Sequence, residues 1–125
     1  MKIKPTDSEL EVLALIWQQG ELTVRQIHDQ IRKSRDIGYT TTLKIMQIMF
    51  EKGMLTRSRQ GKTHIYNAVE AQQKTQDGLV NKMVKTAFHG SAKDLVMQAL
   101  GSTNTSKAEL EEIRAYLDKL EKEKE

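Results

Sequence analysis

Thr40, Thr41, Leu43, Lys44 and Gln47 stand close together in the chain, and Arg57, Arg59 and Lys62 follow a short way on. Hydroxyls, an amide and an ammonium, followed by spaced guanidiniums, are the groups that bind a nucleic acid. Cations neutralise phosphates, and short polar side chains reach base edges. A threonine can bond a phosphate or touch a thymine methyl, and Lys44 can reach guanine acceptors or a phosphate. Arg25, further upstream, is a further cation suited to clamping a phosphate. Leu43 and Ile48 can either pack their helix or offer an apolar contact in a groove.

Other chemistries lack their residues. His28, His64 and His89 are widely spaced, and none belongs to a metal-binding pattern such as His-x-x-x-His with a nearby carboxylate. Each is expected at a surface or ribbon position. Gly-rich phosphate loops and a nucleophile elbow are missing. With no cysteine there is no disulfide, thiolate metal site or catalytic thiol. The chain is not expected to be an enzyme, and no cofactor or metal is expected.

The elements that must position the recognition residues are legible in Tyr39–Tyr66. Thr40 or Thr41 can cap a helix, because a threonine oxygen accepts a bond from a free N–H of the first turn. Thr42, Ile45, Met46 and Met49 then recur at the spacing of a buried face. Gly53 follows Lys52, the usual place for a left-handed residue. Residues 55–59 and 63–67 read as paired strands around a Gln60-Gly61-Lys62 turn. Upstream, Thr6 with Glu9 and Thr23 with Gln26 have capping-box spacing. The first opens a helix with Leu10, Leu13, Ile16 and Trp17 on one face and Gly20 at its end. Trp17 at that spacing is expected in the core rather than as a stacking platform. The second opens a helix carrying Val24, Ile27 and Ile31. Helix, helix, helix and basic ribbon, over about residues 5–70, make a winged helix-turn-helix.

Charge divides the chain in the same way. Residues 31–66 hold Arg32, Lys33, Arg35, Lys44, Lys52, Arg57, Arg59 and Lys62 against Asp36 and Glu51, whereas bases and acids balance in residues 71–125. One half suits a polyanion and the other suits something else. Beyond the polar run 70–74, Val80, Met83, Val84 and Ala87 form a helical stripe that Gly90 ends. Ser91 opens a second helix with Ala92, Leu95, Val96, Ala99 and Leu100 on one face, and 101–105 reads as a loop. Ser106 with Glu109 caps a third, whose Leu110, Ile113, Leu117 and Leu120 follow a coiled-coil period. Met83 and Met97 are expected to pack in a core rather than line a ligand pocket. With 38% apolar residues and 5% aromatics, one chain has little with which to cover three such stripes. Dimerisation through Val80, Met83, Val84, Leu95, Val96, Leu110, Ile113, Leu117 and Leu120 is the expected use. The opening MKIKPTDSELEV has no long apolar core, so no signal peptide is expected. No stretch approaches bilayer-spanning length, so no membrane insertion is expected and the protein is expected in the cytoplasm.

Leu10-Glu11-Val12-Leu13 to Trp17, Leu22 to Ile27, Tyr39 to Gly53, and Glu109 to Arg114 together resemble the penicillinase-repressor (BlaI/MecI/CopY) family of winged-helix regulators. That resemblance covers nearly the whole chain. It implies a homodimer that represses transcription from a palindromic DNA operator, with Thr40, Thr41, Leu43 and Lys44 at base and phosphate contacts. Ile48 stands where many members have Arg. Resistance regulators of this type respond to a membrane receptor-protease, implied here as a further partner, through cleavage in the dimerisation region. The matching segment, Leu95-Val96-Met97-Gln98-Ala99-Leu100, lacks their Asn-Phe pair, and the cysteine hook of copper-responsive members is missing. The expectation is therefore a mostly α protein with a small β wing: a DNA-binding domain over 1–70 and a three-helix dimerisation region over 71–125. The alternatives are a regulator that senses a small ligand between its helices, and a winged-helix protein-interaction module whose ribbon binds an acidic partner.

Overall fold

The computed structural model describes residues 4–125; Met1–Ile3, included above in the first domain and in the opening stretch, lie outside the described residues. Helix α1 (Asp7–Gln19) leads into a short strand β1 (Leu22–Thr23), then α2 (Val24–Arg32) and α3 (Tyr39–Glu51). A hairpin of β2 (Leu55–Gln60) and β3 (Thr63–Ala68) follows, and then α4 (Gln72–Ala87), α5 (Ala92–Ser102) and α6 (Lys107–Glu123). The chain divides into two compact units between Gly78 and Leu79.

The first unit is a winged helix. Local chemistry starts its helices. Thr6 and Thr23 each accept a bond from the backbone N–H three residues on, and Glu9 and Gln26 return one to the cap. At the far end of α1, Gly20 turns the chain with φ 91°. Val12, Leu13 and Ile16 of α1, Ile27 and Ile31 of α2, and Met46 and Met49 of α3 then meet in one core with Leu55 and Tyr66 of the sheet. Each such aliphatic side chain contributes about 1.5–3 kcal/mol by leaving water. Leu10 and Trp17 are only half-buried at its edge, and Trp17 Nε1 donates to the Glu70 carbonyl at 3.1 Å.

The sheet has the order β1-β3-β2, all antiparallel. Its third strand, the Leu22–Thr23 pair against Tyr66–Ile65, was not expected, because two residues carry no periodicity of their own. The wing turn is tighter than expected: Gln60 already pairs with Thr63, leaving Gly61-Lys62 as a two-residue turn with Gly61 at φ 61°.

Glu9 does more than cap α1. Its Oε1 accepts from the Thr6 backbone N–H at 2.9 Å, while its Oε2 pairs with Lys52 Nζ at the end of α3, also at 2.9 Å. Burial pushes this carboxyl up, but the Thr6 and Lys52 bonds outweigh it and hold it below the usual 4.5. A lowered folded-state value means stabilisation present above the unfolded pKa and lost as pH falls through the folded one. Glu9→Gln keeps the cap and loses the ion pair, whose lysine is 39% exposed, so it is expected to lower stability by about 1–2 kcal/mol at pH 7. In thermal melts the gap between the two proteins should narrow as the pH drops below 4.5; a constant gap would contradict this role for the ion pair.

The second unit has two capped helix starts and no finished core. Ser91 accepts from the Asp94 N–H, and Ser106 with Glu109 forms a capping box. Helix α5 runs on through Gly101 and Ser102, which were expected in the loop. Between α4 and α5 the chain turns at His89 (φ 51°) and Gly90 (φ 83°). No residue from Leu79 to Glu125 is buried, and neither Met83 nor Met97 finds the core expected of it. Helices α5 and α6 share no extensive packing with each other.

Candidate nucleic-acid interface

One side of α3 is fixed inward by Thr42, Met46 and Met49, all with no exposed surface. Helical geometry therefore turns Thr40, Thr41, Lys44 and Gln47 outward, and all four are exposed. Leu43 is half-buried and packs against the core. The N-terminus of α3 differs from the expectation. Its cap is Gly38 rather than Thr40 or Thr41, and no side chain satisfies its first N–H groups. The helix begins at Tyr39 because that ring packs on α2. Both threonines thus lie in the first turn, beside unclaimed N–H groups that attract an anion.

His28 locks α2 to α3. Expected at a surface, it is 3% exposed, and its Nδ1 lies 2.9 Å from Thr42 Oγ1. Its ring also packs at 5.4 Å against Tyr39. The Arg25 guanidinium also lies over this tyrosine, at 4.2 Å from the ring centroid. Arg25 is thereby placed beside the open end of α3.

The wing has a basic face. Strand alternation puts Leu55, Arg57 and Arg59 on one side with their partners Tyr66 and His64. At the base of the hairpin that side is buried through Leu55 and Tyr66; towards the tip it carries Arg57, Arg59 and His64 into solvent. The Arg57 guanidinium sits 4.0 Å from the Phe50 ring centroid, so this cation is held against α3. Arg59 Nε donates to the Gly61 carbonyl at 2.9 Å, and Lys62 occupies the turn. Reading the sequence did not single out His64, His28, Tyr39 or Phe50 for this surface. Their parts depend on pairings between elements, and His64 meets Arg59 only because the turn has two residues rather than the three expected.

This surface can hold a chain of phosphates on cations and offer a polar helix face to a groove. The profile of the penicillinase repressor family matches residues 5–119. The chain belongs to the penicillinase repressor family. Within the family it is 25% identical over 118 residues to the methicillin resistance regulatory protein MecI of Mammaliicoccus sciuri, covering 91% of this chain and 93% of that protein. It is 26% identical over 117 residues to the transcriptional regulator BlaI of Mycobacterium tuberculosis, covering 92% and 83%. Among solved structures, a variant of Lactococcus lactis ZitR aligns over 99% of this chain and 78% of its own, with a TM-score of 0.53 at 20% identity. A second ZitR variant gives 0.50 at 19%, over 100% and 79%. At such identity the likeness speaks for the fold alone. Penicillinase repressors are regulators rather than enzymes. Among the described residues, no His, Cys, Asp and Glu group is arranged to hold a metal, and no helix is long and apolar enough to cross a membrane.

Proposed function

We propose that this penicillinase-repressor family protein represses transcription as a homodimer bound to a palindromic DNA operator. The observation that carries the reading is the arrangement of α3: an outward Thr40, Thr41, Lys44 and Gln47 face, an N-terminus that no side chain caps, and flanking guanidiniums of Arg25 and Arg57. Thr40, Thr41, Lys44 and Gln47 read base edges or nearby phosphates in the major groove, with Leu43 at the margin of that contact. Arg25, Arg57, Arg59 and Lys62 hold the backbone. The 71–125 region supplies the second subunit contact. Two equal subunits about a two-fold axis require two equal half-sites.

The protein then works in the cytoplasm, where the operator is. If a membrane receptor-protease relieves repression, its cleavage must use a sequence other than Asn-Phe, because the corresponding segment of α5 is Leu95–Leu100. The deciding experiment is selection of duplexes from a random pool at near-physiological salt. An enriched palindrome is expected. Recovery of unenriched sequence would overturn specific recognition and leave the basic wing to an acidic protein partner.

A further inference from the structure

The outward face of α3 carries one residue that its polar neighbours do not explain. Ile48 follows Thr41 by seven residues and Lys44 by four, so the three share a stripe along the helix. Every other large apolar side chain of α3 is used by the core. Met46 and Met49 are fully buried, and Tyr39, Leu43, Ile45 and Phe50 pack against the cluster. Ile48 is not part of that cluster and is 37% exposed. Among the described residues of the first unit, the other exposed large apolar side chain is Val69, beyond the end of β3. Folding of the winged helix therefore leaves more than a third of this isoleucine in water, on the same stripe as Thr41 and Lys44.

Binding gives that surface a use. The rise of about 1.5 Å per residue puts Ile48 roughly 6 Å beyond Lys44 along the helix, close to two base-pair steps. A helix lying in the major groove with Thr41 and Lys44 against the bases carries Ile48 onto the same floor. The groove floor presents donors and acceptors from all four bases, and one apolar group, the thymine C5-methyl. An isoleucine pressed on a donor or acceptor strips its water and returns no hydrogen bond, which is unfavourable. Pressed on a methyl, it removes apolar surface from water on both sides. The β-branched side chain holds almost a single χ1 rotamer in a helix, so it cannot readily swing away from a mismatched base.

We infer that Ile48 is a specificity-determining residue that selects thymine in each half-site by contact with its C5-methyl group. This rests on the operator-binding reading above and names a base that the reading leaves open. The test starts from the selected operator. Each thymine is replaced in turn by deoxyuridine, which removes only the methyl, and dissociation constants are measured for the protein and for Ile48→Ala. One thymine position, repeated in the two half-sites, should weaken binding by about 4-fold per half-site, the equivalent of ~0.8 kcal/mol for one buried methyl, and by about 15-fold when both are replaced. Ile48→Ala should melt as the parent does, bind the thymine operator more weakly, and show no methyl effect at that position. Uridine sensitivity that is missing, or equal in both proteins, overturns the role of Ile48 while leaving operator binding intact. Failure to enrich any sequence overturns both readings together.

Discussion

By light scattering, Leu117→Asp is expected to give a monomer of 14.3 kDa, and the parent protein is expected to give twice that mass. Leu117 is 50% exposed, and Val80, Met83 and Val96 are similarly open, as are Met97 and Tyr116, which the sequence periodicity did not select. Leu95, Leu110, Ile113 and Leu120 are partly covered but not buried. A region of this length with no buried residue has not fully removed its apolar stripes from water, and a second copy is the partner already present at equal concentration. A carboxylate in the middle of that seam must be dehydrated for the contact to form, at a cost of several kcal/mol. Loss of the dimer separates the two half-site contacts, and operator affinity should fall by about 10²–10⁴-fold. The first unit should be untouched. Trp17, the only tryptophan, lies in it and reports on it, so its emission should match the parent's. A parent that is itself monomeric at micromolar concentration would sink the dimer.

The second large effect is on salt. On the proposed operator-binding reading, Arg25, Arg57, Arg59 and Lys62 are expected to make about four phosphate contacts per subunit and about eight per dimer. Counterion release then predicts a slope of roughly −7 in log affinity against log salt, or a loss of about 10⁴-fold between 50 and 200 mM. Neutralising Lys62 should reduce the slope by about two in the dimer, with little change in which sequence is preferred. Titration of a labelled operator by anisotropy at several salt concentrations measures this. A slope shallower than about −3 would mean that most of these cations do not meet phosphate.

What could be read before folding follows the range of each interaction. The capping boxes at Thr6, Thr23 and Ser106 join residues three apart, and all three are present. The buried face of α3 was legible for the same reason. The start of α3 was not: Gly38 takes the cap and Tyr39 packs on Arg25 and His28, which belong to another helix. Glu9 was visible as a capping residue, whereas its ion pair with Lys52 spans 43 residues. Histidine 28 was misplaced for a related reason. A polar ring is buried only where something answers its nitrogen, and Thr42 does so from across the α2–α3 packing.

Three guanidiniums of the basic surface are already tethered by the protein itself: Arg25 on Tyr39, Arg57 on Phe50, and Arg59 on the Gly61 carbonyl. A free surface arginine surrenders rotamer entropy when a partner immobilises it, about 0.5–1.5 kcal/mol per side chain. Here part of that loss is taken during folding, before any polyanion arrives. Tyr39 and Phe50 can therefore tune affinity without touching the ligand. Lysine at the three positions would preserve the net charge and forfeit the pre-ordering, because an ammonium neither lies flat on a ring nor presents a rigid fork.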